Sequence, residues 1–469
     1  MGTYSKKLFL AGLSILLSVG TVLRGLGQQI APFKDGDRVV FLGNSITDGG
    51  HYHAYIWLYY LTRFPGLKLQ FFNAGIGGDR VVEMLRRLDG DVFSKKPTVL
   101  ITTFGMNDSG YFEYNGAEPQ VFADTKVRES HEAFKDMEKR YKQLVGTRLV
   151  LLGSTPYDET VQIKDNTPFK NKNKAMQRIV DFQRESARAN GWEFFDFNEP
   201  ITAINVQGQQ KDPGFTISGS DRVHPDNNGH MVMAYLFLKA QGFAGREVAT
   251  VTVDAARQRV EQASNCRVDG LRRSAAALEF DYLAAALPYP LDTTARGWGA
   301  RYSQHDAVGI VPFMEEMNRE TLQVKGLRGD QVLWIDDEQI GTWSAADLAK
   351  GINLAAQTRT PQYQQALKVM YLNEERWEIE RRFRDLAWVQ YNFFQPRGLL
   401  NADNRKAIEV MDQHVANDGW LRAKRDLYAK AMHPEVRAAW QSQIEDLQRR
   451  MNEVNQPVKH RIRLVPAKK

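Results

Sequence analysis

The 469-residue chain contains a single cysteine, Cys266. One cysteine excludes an intrachain disulfide framework and any metal site built on cysteine thiolates. It lies far from the N-terminus, so no lipoprotein anchor is expected. No His-Glu-x-x-His run occurs, so the zinc-protease helix is absent. The glycines at 75–78 have neither the dinucleotide spacing nor the Lys-Ser/Thr ending of a phosphate-cradling loop. Charge of one sign is scarce too: 62 Lys plus Arg stand against 56 Asp plus Glu, a net +6 spread along the chain. The densest basic run, His460 to Lys469, has no nucleic-acid module beside it and reads as a solvated tail. Neither nucleic acid nor a cofactor is expected as a partner.

What is present begins with an export pattern. Lys6-Lys7, the apolar stretch Leu8 to Leu23 and Gly25-Leu26-Gly27 before Gln28 predict a cleaved signal peptide over residues 1–27, in preference to a retained anchor. The expected location is secreted or periplasmic, with no stable membrane insertion after cleavage. The remaining length exceeds what one core usually organises, so two or three domains are expected.

Residues 28–245 alternate strand and helix. Apolar β-branched runs near 38–43, 68–73, 98–103, 147–153 and 192–196 predict a parallel five-stranded sheet in a three-layer α/β/α arrangement, with helices near 52–64, 127–145 and 171–190. The loops 108–126 and 155–170 are long and carry Tyr111, Phe112, Tyr114 and Tyr157, as loops that shape a binding site do. Residues 246–345 hold short strand signals, such as Val248–Val253 and Gln331–Asp336, and predict a β-rich sandwich. Residues 346–469 read as helical. There Ile379, Phe383, Leu386, Val389 and Phe393 form one apolar stripe, expected to pack on the first domain or on a partner, which leaves an oligomer open.

Four short segments carry chemistry, each at the end of an expected strand of the first domain or in a loop leading into a helix. Ser45 follows the run Arg38–Gly43 at a strand-to-helix junction, where a hydroxyl faces a cleft. Asn73–Arg80 places three glycines in four positions, which lets the backbone approach a ligand and aim an amide N–H. Asn107 follows the run Thr98–Thr103 and offers a neutral donor of the kind that stabilises an oxyanion. Asp221 and His224 are spaced so that the carboxylate reaches Nδ1 and turns Nε2 toward the serine, and Pro225 starts the next helix.

These residues resemble the SGNH (GDSL-type) hydrolase superfamily over roughly residues 35–243, with Asn44 where the name-giving motif has Asp. The resemblance implies a flavodoxin-like sheet, Ser45 as nucleophile, His224 as general base and acid, and Asp221 as the group that orients it. It implies an oxyanion hole of the Ser45 N–H, the Gly78 N–H and the Asn107 side chain, with Gly75 and Gly77 as competitors for the middle place. Asp48, His51 and His53 also invite a metal reading, but no third ligand has a diagnostic spacing, so polar lining of the ester site is expected of them and no metal. The aromatic run Tyr52 to Tyr60 is expected to be mainly core. The expected function is a serine esterase removing O-acetyl groups from carbohydrate. The alternatives are a lipase or thioesterase, and an exported binding protein without catalysis.

Overall fold

The computed structural model describes residues 30–297 and 300–467, so the expected signal peptide lies outside the described residues. Strands β1 (Arg38–Gly43), β2 (Gln70–Gly75), β3 (Val99–Phe104), β4 (Arg148–Gly153) and β5 (Glu193–Asp196) pair in parallel in the order β2-β1-β3-β4-β5. A parallel sheet is covered on both faces, and every residue of β3 is buried. Around it lie α1 (Ser45–Asp48), α2 (His51–Arg63), α3 (Val81–Arg86), α4 (Pro119–Tyr141), α5 (Lys172–Asn190), α6 (Asn198–Gln209) and α7 (Asn227–Ala240). Side chains alternate across the sheet. Val39, Phe41 and Ile101 meet α2 and α7 on one face, while Val40, Leu42 and Leu100 meet α3, α4 and α5 on the other. Helix α4 begins eight residues before the expected 127, because Pro119 takes its first turn. The loop after Asn107 is correspondingly shorter.

The second half comprises β6 (Ala249–Asp254), β7 (Arg259–Ser264), β8 (Cys266–Arg273), β9 (Leu278–Ala284), α8 (Phe313–Met317), β10 (Glu320–Lys325), β11 (Asp330–Ile335), β12 (Glu338–Ser344), α9 (Ala345–Lys350) and β13 (Ile352–Asn353). Helices α10 (Pro361–Trp388), α11 (Arg405–Asp412), α12 (Gly419–Ala431) and α13 (Pro434–Val454) follow, then β14 (His460–Pro466). Two sheets, β13-β10-β6-β7 and β12-β11-β14-β9-β8, share one core containing Val251, Leu278, Leu333 and Leu464. The stretch between β9 and β10 returns to the first domain, where Leu287, Tyr289, Ala307 and Phe313 join its core.

Two expectations are corrected here. The basic run from His460 is not a solvated tail: residues 460–466 form β14, paired antiparallel with β9 on one side and β11 on the other. His460, Ile462 and Leu464 point inward, and the arginines are the outward half of a period-2 strand. The second concerns the stripe of Ile379, Phe383, Leu386, Val389 and Phe393. It packs within the helical region against residues such as Met411, Leu421, Tyr428 and Ile444, and not on the first domain.

The first domain is met by the opposite face of α10. Helix α2 is buried at all thirteen positions, including the whole aromatic run, and a helix apolar all round needs cover on every side. Ala366, Val369 and Met370 of α10 supply part of it. Polar pins accompany the apolar contact. The Glu380 carboxylate accepts from the Asn73 N–H (2.9 Å), and Asn373 donates to the Ala54 carbonyl (3.1 Å). Arg384 forks onto both oxygens of Asp91 (2.9 and 2.7 Å), which also takes Arg87 (2.6 Å), and Arg87 reaches Asp79 (2.7 Å). Burial raises the Asp91 carboxyl, but Arg384, Lys95 and Arg87 outweigh it and hold it well below the usual range. A third contact, Glu320 of β10, accepts from Tyr282 (2.9 Å) and from Gln362 of α10 (3.1 Å), and burial pushes it up to about 7.

Removing Asp91 leaves three cations without their carboxylate. Asp91→Ala is expected to cost ~3–5 kcal/mol in urea unfolding at neutral pH. Glu320 acts with the opposite sign. Its folded pKa of about 7 lies above the ordinary 4.5, so ionisation opposes folding above pH 7 and ceases to matter as pH falls to 4.5. Glu320→Gln is therefore expected to be more stable than wild type by roughly 3 kcal/mol above pH 7, with the gap closing toward pH 4.5, as read from paired denaturation curves.

Candidate active site

The site lies at the carboxyl ends of the strands of the first sheet. β1 stops at Gly43, and Asn44 caps the one-turn helix α1 by accepting from the Ile46 N–H (3.1 Å), which leaves Ser45 at its first position. His224 arrives from the turn before α7. Gly219 opens that turn at φ +77°, and a Cβ there would stand 1.8 Å from the His224 carbonyl oxygen, so only glycine fits. Asp221 staples the turn, with Oδ1 accepting the N–H groups of Val223 and His224 (both 2.9 Å). Its Oδ2 lies 2.5 Å from His224 Nδ1, and His224 Nε2 lies 2.8 Å from Ser45 Oγ. Burial raises the Asp221 carboxyl, but the hydrogen bonds and charge of His224 outweigh it and leave it below the usual carboxylate range. The pair sits at a rim, with the His224 and Asp221 side chains 48% and 53% exposed.

The glycine loop beside Ser45 distinguishes its own members. Gly75 N–H donates to Asn73 Oδ1 (2.8 Å), Gly77 N–H to Asp48 Oδ2 (3.2 Å), and the Asp79 N–H to the Ile76 carbonyl (3.2 Å). Among the described residues no acceptor meets the Gly78 N–H, nor that of Ser45. Gly78 has φ +86°, a conformation that glycine adopts freely. Asn107 is held at both ends of its amide: Nδ2 donates to the Asp79 carbonyl (3.0 Å), and Oδ1 accepts from the Tyr111 hydroxyl (2.8 Å). Asp108 next to it is buried and accepts from the N–H groups of Val81 and Gly105 (both 3.0 Å), fixing the strand end.

The expectation that His51 and His53 line the ester site is corrected. Both begin α2, where α7 and α10 cover them. His51 stacks on Trp377 (4.5 Å between centroids) and His53 on Phe41 (5.0 Å). Burial pulls His51 down to about 3 and His53 to about 4, so both are neutral core rings. No cluster of three ligands for a metal occurs among the described residues. Asp48 alone of that trio stays beside the site, half-buried. Burial pushes its carboxyl up to about 6, against the pull of Arg384 and Lys424.

The two long loops meet near Asn107. Tyr111, Phe112 and Tyr157 gather around Phe169, at 6.0, 5.6 and 5.7 Å, with the Phe112 ring 81% exposed. Tyr114 turns inward instead, against Phe122. Three contributors escaped the sequence reading. Phe169 is the hub of the cluster, and Lys172 ties down the backbone beneath Tyr111. Arg222, in the left-handed region at φ +70°, buries its guanidinium and donates to the carbonyls of Asp158 (3.0 Å), Val161 (2.7 Å) and Asn166 (2.7 Å), so the histidine turn also anchors the 155–170 loop. The positive φ has no signature in an arginine, and nothing in the sequence separates Arg222 from a surface charge.

A hydroxyl, an imidazole backed by a carboxylate, two unpaired N–H groups and an oriented amide are the groups that serine acyl transfer uses. Residues 41–232 match a family model described as the GDSL-like lipase/acylhydrolase family, and residues 367–456 match one described as the diltiazem deacetylase C-terminal helical domain. An acetylxylan esterase of Geobacillus stearothermophilus is 25% identical over 230 residues, which cover 44% of this chain and 95% of its own. A solved structure of a gut microbial diltiazem-metabolizing enzyme is 58% identical, covers 94% of this chain and 100% of its own, and superposes with a TM-score of 0.92. That likeness spans the sheet domain, the β-rich region and the helices alike. The chain is therefore a serine ester hydrolase and belongs to the SGNH (GDSL-type) superfamily, in the branch that carries the diltiazem-deacetylase type of helical region.

Proposed function

We propose that this enzyme removes acetyl groups from O-acetylated, hydroxyl-rich compounds, carbohydrates foremost, outside the cytoplasm. The observation that carries the catalytic reading is the unbroken line from Asp221 through His224 to Ser45, with contacts of 2.5 and 2.8 Å. In this reading Ser45 Oγ attacks the ester carbonyl while its proton passes to His224 Nε2. The negative oxygen is received by the Ser45 and Gly78 N–H groups and the Asn107 amide. His224 returns the proton to the departing alcohol, leaving acetyl on Ser45. Water then attacks the acetyl carbonyl and gives its proton to His224, which passes it to Ser45 Oγ as the bond to the acetyl group breaks and acetate leaves. Asp221 holds the imidazole tautomer throughout.

The acetyl preference is supported by the relatives. One is named for acetylxylan, and the family model matched by the helical region for diltiazem deacetylation, so the acetyl group is what the two names share. Selectivity for the acyl part with tolerance of the alcohol fits the rim position of the Asp–His pair, since a bulky alcohol can remain outside the cleft. The exposed Phe112 ring, seated on Phe169, offers a flat apolar face to such an alcohol, as sugar rings require. The location rests on the export pattern of residues 6–27. No helix among the described residues is long and apolar enough to cross a membrane.

Ser45→Ala and His224→Ala are expected to lower kcat by similar large factors, and the double variant to be no worse than either, because the two act as one unit. Turnover of a chromogenic acetate by purified Ser45→Ala at more than about one hundredth of the wild-type rate would remove the covalent mechanism. For the substrate, acetate esters are expected to be cleaved much faster than esters of eight or more carbons, and acetylated saccharides to release acetate. Phe112→Ala should raise KM for acetylated oligosaccharides several-fold while leaving small acetates unaffected. A preference for long acyl chains would replace this reading with that of a lipase.

A further inference from the structure

Asn107 stands in the proposed oxyanion hole, but an asparagine amide has two faces of opposite polarity. With Nδ2 toward the cleft it stabilises a negative oxygen; with Oδ1 there it repels one. What selects the face is therefore part of the chemistry. The Asp79 carbonyl, 3.0 Å from Nδ2, can only accept, so it holds one amide hydrogen and leaves the other for the cleft. The Tyr111 hydroxyl, 2.8 Å from Oδ1, completes the selection from the opposite end.

Tyr111 is itself braced. The Lys172 ammonium lies 3.9 Å from the centre of its ring. From there it donates to the Met106 carbonyl (2.7 Å), Ser109 Oγ (2.6 Å) and the Gly110 carbonyl (2.5 Å), the backbone that joins Asn107 to Tyr111. Phe169 covers another edge of the ring. Burial raises the Tyr111 phenol well above its usual range, with Asp221 and Asp108 adding to the rise, so the hydroxyl keeps the proton it donates. The clamp thus has a fixed ring, a fixed backbone and a permanent donor.

We propose that Tyr111 is a positioning residue for the reaction: its hydroxyl locks the Asn107 amide with Nδ2 toward the developing oxyanion, and Lys172 holds the loop that presents it. This rests on the oxyanion reading of Asn107. Tyr111 touches no reacting atom, so removing its hydroxyl should lower kcat with KM little changed, and only while Asn107 is there to be oriented.

The test is a double-mutant cycle of Tyr111→Phe and Asn107→Ala in the full chain, with kcat and KM on a small acetate ester and thermal midpoints for each variant. Phenylalanine keeps the ring that Lys172 and Phe169 contact, so the fold is retained. Asn107→Ala is expected to lower kcat on the order of 10²–10³-fold, and Tyr111→Phe about tenfold, the worth of one hydrogen bond to the amide. In the Asn107→Ala background Tyr111→Phe should have no further effect. An equal loss from Tyr111→Phe in both backgrounds, or unchanged kcat in the single variant, would overturn the proposal while leaving Asn107 in its role. Unchanged kcat in Asn107→Ala would overturn the oxyanion reading and the clamp together.

Discussion

The site depends on a chain of buried charges that begins in the helical region and ends one residue from Gly78. Arg384 grips Asp91, Asp91 grips Arg87, and Arg87 grips Asp79, whose other carboxylate oxygen takes the Asn392 amide at 3.2 Å. With both carboxylate oxygens occupied, Asp79 is held in place at its side chain. Its carbonyl holds Asn107, and the residue before it carries the Gly78 N–H. Two of the three proposed oxyanion donors therefore owe their direction to α10. Charges buried this deeply are poor sources of net stability but demanding about geometry, which is the property an active site needs from its supports.

The proposed base arrives by a different construction. Asp221, His224 and the glycine at 219 make a turn that closes on itself through hydrogen bonds within a few residues. Arg222 attaches it outward by burying itself among carbonyls of the neighbouring loop. The donors thus come from a rigid, widely anchored wall, and the histidine from a compact surface turn. Ser45, just beyond the end of β1, is where the two meet.

That difference explains what could be read in the sequence. Ser45, the glycine loop, Asn107 and the Asp221–His224 turn each declare themselves within a few residues, by a strand ending or by a spacing, and the five parallel strands follow from alternation. The bonds of Arg384 to Asp91, 293 residues apart, have no local signature. Tyr111 looked like one loop aromatic among several, and its role appears only once Asn107 lies within reach of its hydroxyl. Three local patterns also misled. The α10 stripe was seen correctly as apolar, yet the helix has two buried faces, and the stripe belongs to the bundle. In β14 the count of basic residues concealed a period-2 strand, while His51 and His53 appeared polar only because the helix that covers them lies more than 300 residues away in the chain.

β14 also dictates an order of assembly. It fills the gap between β9 and β11, pairing Ile462 with Phe280 and with Ile335. Until it is in place, both neighbours present unpaired edges to solvent, which invites pairing with other chains. The sandwich therefore closes last, after the helices that precede β14 have been made, although most of its strands emerge much earlier. Such long-range closure is slow, and the waiting edges at β9 and β11 are where a stalled or clipped chain would begin to aggregate.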